Sequence, residues 1–274
     1  MPSFNSEDEL SEEHHHFIRR LHRGSILDYF RPTRRQERRL GFDSAYHVEH
    51  FSREIKKVSN RRVFNLFFQY KLSQPQHDPR AIGYRQWAPK HIPFMSCDLH
   101  NTTRHEQLNA LVALDRTFSR EQVFYCTNRV HELRAYLRPR LSIQEHRDLF
   151  LYLPVHASLR RHRKMTHHHQ QTRHVWLHSR PEKQLLRPPM DMDRIRQMKD
   201  LPNIRQAIQQ VTEVARQVSE ADYLKLSRVR NTSLSQAASE QNDFTQLASE
   251  AFLAQYILQK NDIHWIPLPF SMPS

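Results

Sequence analysis

Asp43, Gln69 and Lys71 are the residues whose types and spacing point most directly to chemistry. Gln69 and Lys71 stand two apart in an apolar stretch, so on a strand both project from the same side. A lysine beside a metal-binding carboxylate stabilises developing negative charge or orients a water. A divalent ion held by such a carboxylate supplies hydroxide and neutralises a phosphodiester transition state. Asp43 offers the carboxylate upstream of the pair. Hydrolysis of a nucleic-acid backbone needs this combination.

The element that carries Gln69 and Lys71 is the clearest strand in the chain, Val63 to Leu72. Phe64, Leu66, Phe68, Tyr70 and Leu72 alternate along one side, as a face packed on a core requires. The other side becomes polar toward its end, so the pattern predicts a core face and a polar site back to back. Upstream, Ser6 to Arg23 reads as a helix with Leu10, Phe17, Ile18 and Leu21 on one face. Ser6 and Glu9 have capping-box spacing, and Gly24 suits its end. Glu7 falls on the inward side of that helix, and Gly41 to Tyr46 reads as a short strand or turn. Beyond the strand, four prolines between Ser73 and His100 predict loop and short extended pieces. Thr103 to Phe118 reads as a helix and Gln122 to Thr127 as a buried strand. The order helix, strand, strand, helix, strand is an α/β pattern.

An N-terminal helix with an acid, an Asp ahead of an x-x-Lys strand, then a helix and a strand together resemble the PD-(D/E)XK restriction-endonuclease-like nucleases. The resemblance covers roughly residues 6 to 127 and implies a mixed sheet flanked by helices. By this resemblance Asp43 matches the first metal-binding acid, Gln69 stands at the second acid position, Lys71 is the lysine, and Glu7 is the helix acid. It implies a magnesium-dependent endonuclease, with Asp43 and Gln69 as metal ligands, in a bacterial antiviral defence or DNA-processing system. Gln69 departs from the family pattern, because an amide oxygen can coordinate magnesium but carries no charge. A catalytically inactive nucleic-acid-binding or complex-assembly subunit with a nuclease-like fold is therefore the rival function.

Downstream, Leu149 to Val155 and His174 to Leu177 read as strands, separated by a basic, His-rich stretch from Arg160 to Gln171. Arg180 to Pro202 carries four prolines and reads as a linker. Ile204 to Val218 and Ser235 to Leu258 read as helices, and Ile263 to Leu268 as an edge strand limited by Pro267. The expected organisation is a restriction-endonuclease-like α/β domain over 1–180, then a linker and C-terminal helical extension over 181–274 packed on the same core.

The charge balance concerns the partner. The 274 residues carry a formal net charge of +13, and the basic residues are 33 Arg against 9 Lys. Guanidinium's planar fork suits phosphate oxygens, so this arginine-rich chain is expected to bind nucleic acid, DNA in preference to RNA. Candidate contacts are Arg34, Arg35, Arg38 and Arg39 and the cluster Arg160, Arg161 and Arg163. Tyr84, Arg85, Trp87 and Arg173 to Trp176 could stack on bases. Three glycines supply neither a P-loop nor a Rossmann fingerprint, which disfavours nucleotide-driven chemistry of those kinds. Two cysteines without a C-x-x-C, no signal-peptide core and no apolar run of spanning length lead to the expectation of a cytoplasmic protein without membrane contact. His14 to His16 and His167 to His169 are consecutive and cannot jointly hold a tetrahedral zinc, so surface positions are expected for the histidines. No G-x-S-x-G elbow supports a serine hydrolase.

Overall fold

The computed structural model describes residues 4–22, 52–87, 93–99, 106–118, 122–132, 141–168, 174–179, 182–186, 200–235 and 243–270, with positions 135, 137, 195 and 198. Asp43, Arg34, Arg35, Arg38, Arg39, Arg173 and the 41–46 segment lie outside the described residues. The chain is α/β and divides into two compact units. The first comprises Met1–Gly24 and Phe68–Met190, the second Ser25–Phe67 and Asp191–Ser274. Among the described residues no helix is long and apolar enough to cross a membrane.

In the first unit, helix α1 (Glu7–His22) forms as the sequence predicts. Ser6 Oγ accepts a hydrogen bond from the Glu9 amide, while the Glu9 carboxylate accepts from the Asn5 amide. The reciprocal arm of the capping box thus falls one residue earlier than expected. Leu10, Phe17 and Ile18 are buried along one stripe. Three acids in the first turn complement the positive end of the helix dipole.

Strand β1 (Arg62–Lys71) ends in this unit and neighbours β4 (Val123–Asn128), which pairs antiparallel with β5 (Phe150–Pro154). Phe68, Phe124 and Tyr152 cluster on one face. His14 of α1 enters that cluster, its Nδ1 2.8 Å from the Tyr70 hydroxyl and its Nε2 3.0 Å from the Tyr152 hydroxyl. The rings of Phe68 and Phe150 meet the imidazole edge to face. A histidine with both ring nitrogens hydrogen-bonded can lie in an aromatic core, which a bare polar group could not do without a penalty of roughly 1–3 kcal/mol.

A five-stranded antiparallel sheet completes the unit, in the order β2 (Gln74–Gln76), β3 (Phe94–Asp98), β6 (Lys164–His167), β7 (His174–His178), β8 (Glu182–Leu185). Pro75 is tolerated because β2 is an edge strand. Two sequence expectations change here. The basic, His-rich stretch contains strand β6, and the expected linker contains strand β8. Met95, Cys97, Met165 and His167 share one face of this sheet by their pairing register. Thr166 points to the other, where the Trp87 indole donates to its hydroxyl at 2.8 Å. Trp87 belongs to a short helix, α2 (Tyr84–Trp87), which approaches so closely that a Cβ on Gly83 would lie 2.8 Å from Thr166. Gly83 also has φ +96, a conformation that favours glycine.

Helices α3 (Glu106–Thr117) and α4 (Ile143–Arg147) finish the unit. Leu108, Leu111 and Val112 of α3 are buried, as their spacing predicts.

The second unit is built on α5 (Ile204–Val218), α6 (Glu220–Ser235), α7 (Asp243–Lys260) and β9 (Ile263–Phe270), with the first half of β1 as neighbour of β9. A capping box between Asn203 and Gln206 starts α5, and its apolar stripe packs against α7. The helix expected over 235–258 is described from Asp243 as α7, and α6 is a further helix that precedes the expected range. Arg205–Asp243 and Lys260–Asp222 ion pairs at 2.6 Å tie these helices together. In the core the Trp265 indole donates to Asn65 Oδ1 at 2.9 Å.

Candidate functional site

The first unit brings two of the expected site residues together. Lys71 Nζ lies 3.8 Å from Glu7 Oε1, an ion pair too long for a direct hydrogen bond. The lysine side chain is 10% exposed and the glutamate 44%, so the ammonium is enclosed while the carboxylate reaches solvent. Alternation along β1 puts Gln69 on the same side as Lys71. Gln69 is fully buried, and neither its Oε1 nor its Nε2 has a hydrogen-bond partner. The expectation of a polar, open side to β1 is therefore corrected. Every residue from Val63 to Lys71 is buried.

A polar network continues from the end of β1. Ser73 Oγ is 2.7 Å from Thr127 Oγ1 and 2.9 Å from His167 Nε2. Asn128 closes the strand end, accepting from the Ser73 amide at 2.7 Å and donating to its carbonyl at 2.9 Å. Burial pushes the Cys97 thiol up to about 11, against the opposing influence of hydrogen bonds with Ser73 and Thr127 and of the Lys71 charge. The thiol is thus held neutral and unreactive. Cys97 and Cys126 are both free and buried.

The numbers of contacting residues fix the direction of β4 against β1. Phe68 stacks on Phe124 at 6.0 Å, and Ser73 meets Thr127 and Asn128, so both chains advance together. By alternation along the two strands, Tyr125 and Gln69 both face away from the Phe68–Phe124 side. The Tyr125 hydroxyl is buried without a hydrogen-bond partner. Burial raises its pKa, with the nearby Cys97 adding to the shift. Sequence reading missed Tyr125; its place in the apolar run Gln122 to Thr127 marked it only as core.

A hard divalent ion prefers oxygen donors, and the buried Gln69 Oε1 is an unsatisfied one. Gln69 is completely buried, so its amide makes no direct contact with a phosphodiester in this arrangement. Glu7 would add the negative charge that the amide lacks. Among the described residues no group of three or more His, Cys, Asp or Glu side chains could hold a metal ion.

The basic residues divide. Arg160 and Arg161 end a 3-10 turn (Ala157–Arg161), and Arg163 leads into β6. All three are exposed, and among the described residues none has a salt-bridge partner. Trp87 differs from its expected role in base stacking. It is 5% exposed and stacks instead on His168 and His174. The expectation of surface histidines is corrected for His14, His146, His162, His167, His168 and His178, all buried. Both ring nitrogens of His14 are hydrogen-bonded, to Tyr70 and Tyr152, whereas the bonds of His146 to Arg20, of His167 to Ser73 and of His178 to Thr166 each engage one ring nitrogen. Comparison with known proteins finds no matching family model, curated protein or solved structure.

Proposed function

We propose that the chain is a magnesium-dependent nuclease that hydrolyses phosphodiester bonds in DNA. The observation that carries this reading is the Glu7–Lys71 ion pair, in which a helix acid meets the lysine that shares a strand face with Gln69. Strand spacing suggested Lys71 and the family resemblance suggested Glu7, and their proximity was not required by the hydrophobic pattern that set the strand.

In this reading Gln69 Oε1 and Glu7 hold the cation together with Asp43, which lies outside the described residues. Magnesium, when bound, supplies an activated water and neutralises charge on the phosphate. Lys71 stabilises negative charge developing on the phosphate or attacking water, and its enclosure strengthens that interaction relative to bulk solvent. Glu7 keeps the ammonium oriented before substrate arrives. Arg160, Arg161 and Arg163 engage the backbone away from the reacting centre, through the bidentate geometry that guanidinium offers to phosphate.

The neutral amide at position 69 favours a second reading, a nucleic-acid-binding or complex-assembly subunit without cleavage. Incubating the protein with duplex and single-stranded DNA and with RNA, in magnesium and in EDTA, separates the two. The nuclease reading expects magnesium-dependent products that Lys71→Ala and Asp43→Ala abolish. The subunit reading expects salt-sensitive binding and intact substrate.

A further inference from the structure

The chain has three tryptophans, and two of them are committed to packing. Trp265 is buried and donates to Asn65, while Trp87 is bonded to Thr166 and stacked on His174 with the rings 9° from parallel. Trp176 differs. It stands in the middle of β7 between Val175 and Leu177, both fully buried, so alternation turns its indole to the side opposite theirs. There it is only half-buried, and among the described residues neither a ring nor a hydrogen-bond partner engages it.

The surroundings of Trp176 are cationic. Lys183 of β8 lies directly opposite it in the antiparallel register, is exposed, and has no ion-pair partner among the described residues. Residues so paired share a face, with Cβ atoms about 5 Å apart. Asp98, on the same face by register, is already neutralised by Lys164 at 3.4 Å. Two residues along β7, roughly 7 Å from Trp176, the His178 carbonyl accepts from the Arg163 amide. The exposed guanidinium groups of Arg160, Arg161 and Arg163 therefore gather at that end of the same sheet.

An uncovered indole with cations beside it suits a strand whose bases are themselves uncovered. Within a duplex each base face is occupied by its neighbours in the stack, whereas a single strand can offer a base to an aromatic ring and its phosphates to flanking cations. We propose that the Trp176–Lys183 face of this sheet is a docking platform for single-stranded DNA, with a base stacked on the indole, Lys183 on an adjacent phosphate and the three arginines on phosphates further along. This inference rests on the reading of the chain as a DNA-binding protein and specifies an unpaired strand as what it holds.

Anisotropy titrations of the full chain in EDTA, with a thymidine oligomer of about 12 nucleotides and with a duplex of the same length, test it. Trp176→Ala should weaken oligomer binding by about tenfold or more and duplex binding by less than about twofold, and Trp176→Phe, which keeps a ring, should recover most of the loss. Lys183→Ala should lower the salt slope for the oligomer by ~0.7. Because Trp87 and Trp265 are buried, the oligomer should quench the tryptophan fluorescence of the unsubstituted protein and leave that of Trp176→Phe nearly unchanged.

Undiminished oligomer binding by Trp176→Ala, an equal loss toward the duplex, or the same quenching in Trp176→Phe would overturn the proposal. Absence of oligomer binding by the unsubstituted protein at low salt would overturn it too. Duplex cleavage in magnesium, assayed on the same preparations, keeps the two readings apart. Cleavage by a protein that fails the oligomer titrations leaves the nuclease reading standing without the platform, and Trp176-dependent oligomer binding by a protein that cleaves nothing leaves the platform standing without the nuclease.

Discussion

Glu7, on the first turn of the N-terminal helix, stands 3.8 Å from Lys71 at the last position of β1, although 63 residues separate them in the chain. This contact joins the two ends of the motif read from sequence. It also sets the expected order of effects on metal binding. Glu7→Gln should weaken magnesium binding by removing charge, and Gln69→Glu should preserve or strengthen it by supplying charge at the second ligand position. Calorimetric titration of both variants checks this, and stronger binding by Glu7→Gln would exclude its carboxylate from the site.

The exposed arginines predict a particular salt dependence. Each phosphate neutralised on duplex DNA contributes about 0.9 to the slope of log affinity against log salt. Replacing Arg160, Arg161 and Arg163 together with Ala should lower that slope by as much as ~2.7 without altering thermal stability. Fluorescence anisotropy at several salt concentrations measures it, and an unchanged slope would move the DNA contact elsewhere.

His14 predicts a stability effect that can be reversed. His14→Phe keeps an aromatic ring but takes a hydrogen-bond partner from both Tyr70 and Tyr152. The loss should be about 2–4 kcal/mol in urea denaturation. Adding Tyr70→Phe and Tyr152→Phe should recover most of it, since an all-apolar cluster of the same shape leaves no polar group stranded.

A pH effect follows from His178. Thr166 Oγ1 accepts from the Trp87 indole and hydrogen-bonds His178 Nε2 at 2.8 Å. Burial lowers the His178 pKa to about 4, with the His162 and Lys164 charges contributing. His146 is lowered to about 4 as well, by burial and then by Arg20 and His16. The unfolded chain takes up protons near 6.5 that the folded chain refuses until about pH 4. Stability is fully present above roughly pH 6.5 and falls as pH drops toward 4. Urea midpoints at pH 7 and pH 5 should show this loss, and His178→Gln should reduce it.

The fold was legible wherever one face alone decided it. Strict alternation identified β1, and the stripe of Leu10, Phe17 and Ile18 identified α1. The covering of the Gln69 side was not legible, because it depends on β3 and β6, which come from distant parts of the chain. Strand β6 was hidden for a related reason. Lys164, Thr166 and His167 look like solvated residues until Asp98, Trp87 and Ser73 are seen to pair with them. Helix α6 escaped because its residues form no continuous apolar stripe, and its position is set by α5 and α7. Of the candidate site, Gln69 and Lys71 were singled out by residue type and period and Glu7 through the resemblance. Tyr125 was not, since a hydroxyl at the rim of a ring is indistinguishable in sequence from core packing.

The most direct test of the central claim is cleavage of duplex DNA by the purified chain in magnesium, compared with Lys71→Ala under the same conditions. The account predicts products from the unsubstituted protein that EDTA suppresses, and intact DNA with a folded Lys71→Ala variant. Intact DNA with both proteins, or equal cleavage by both, would contradict it.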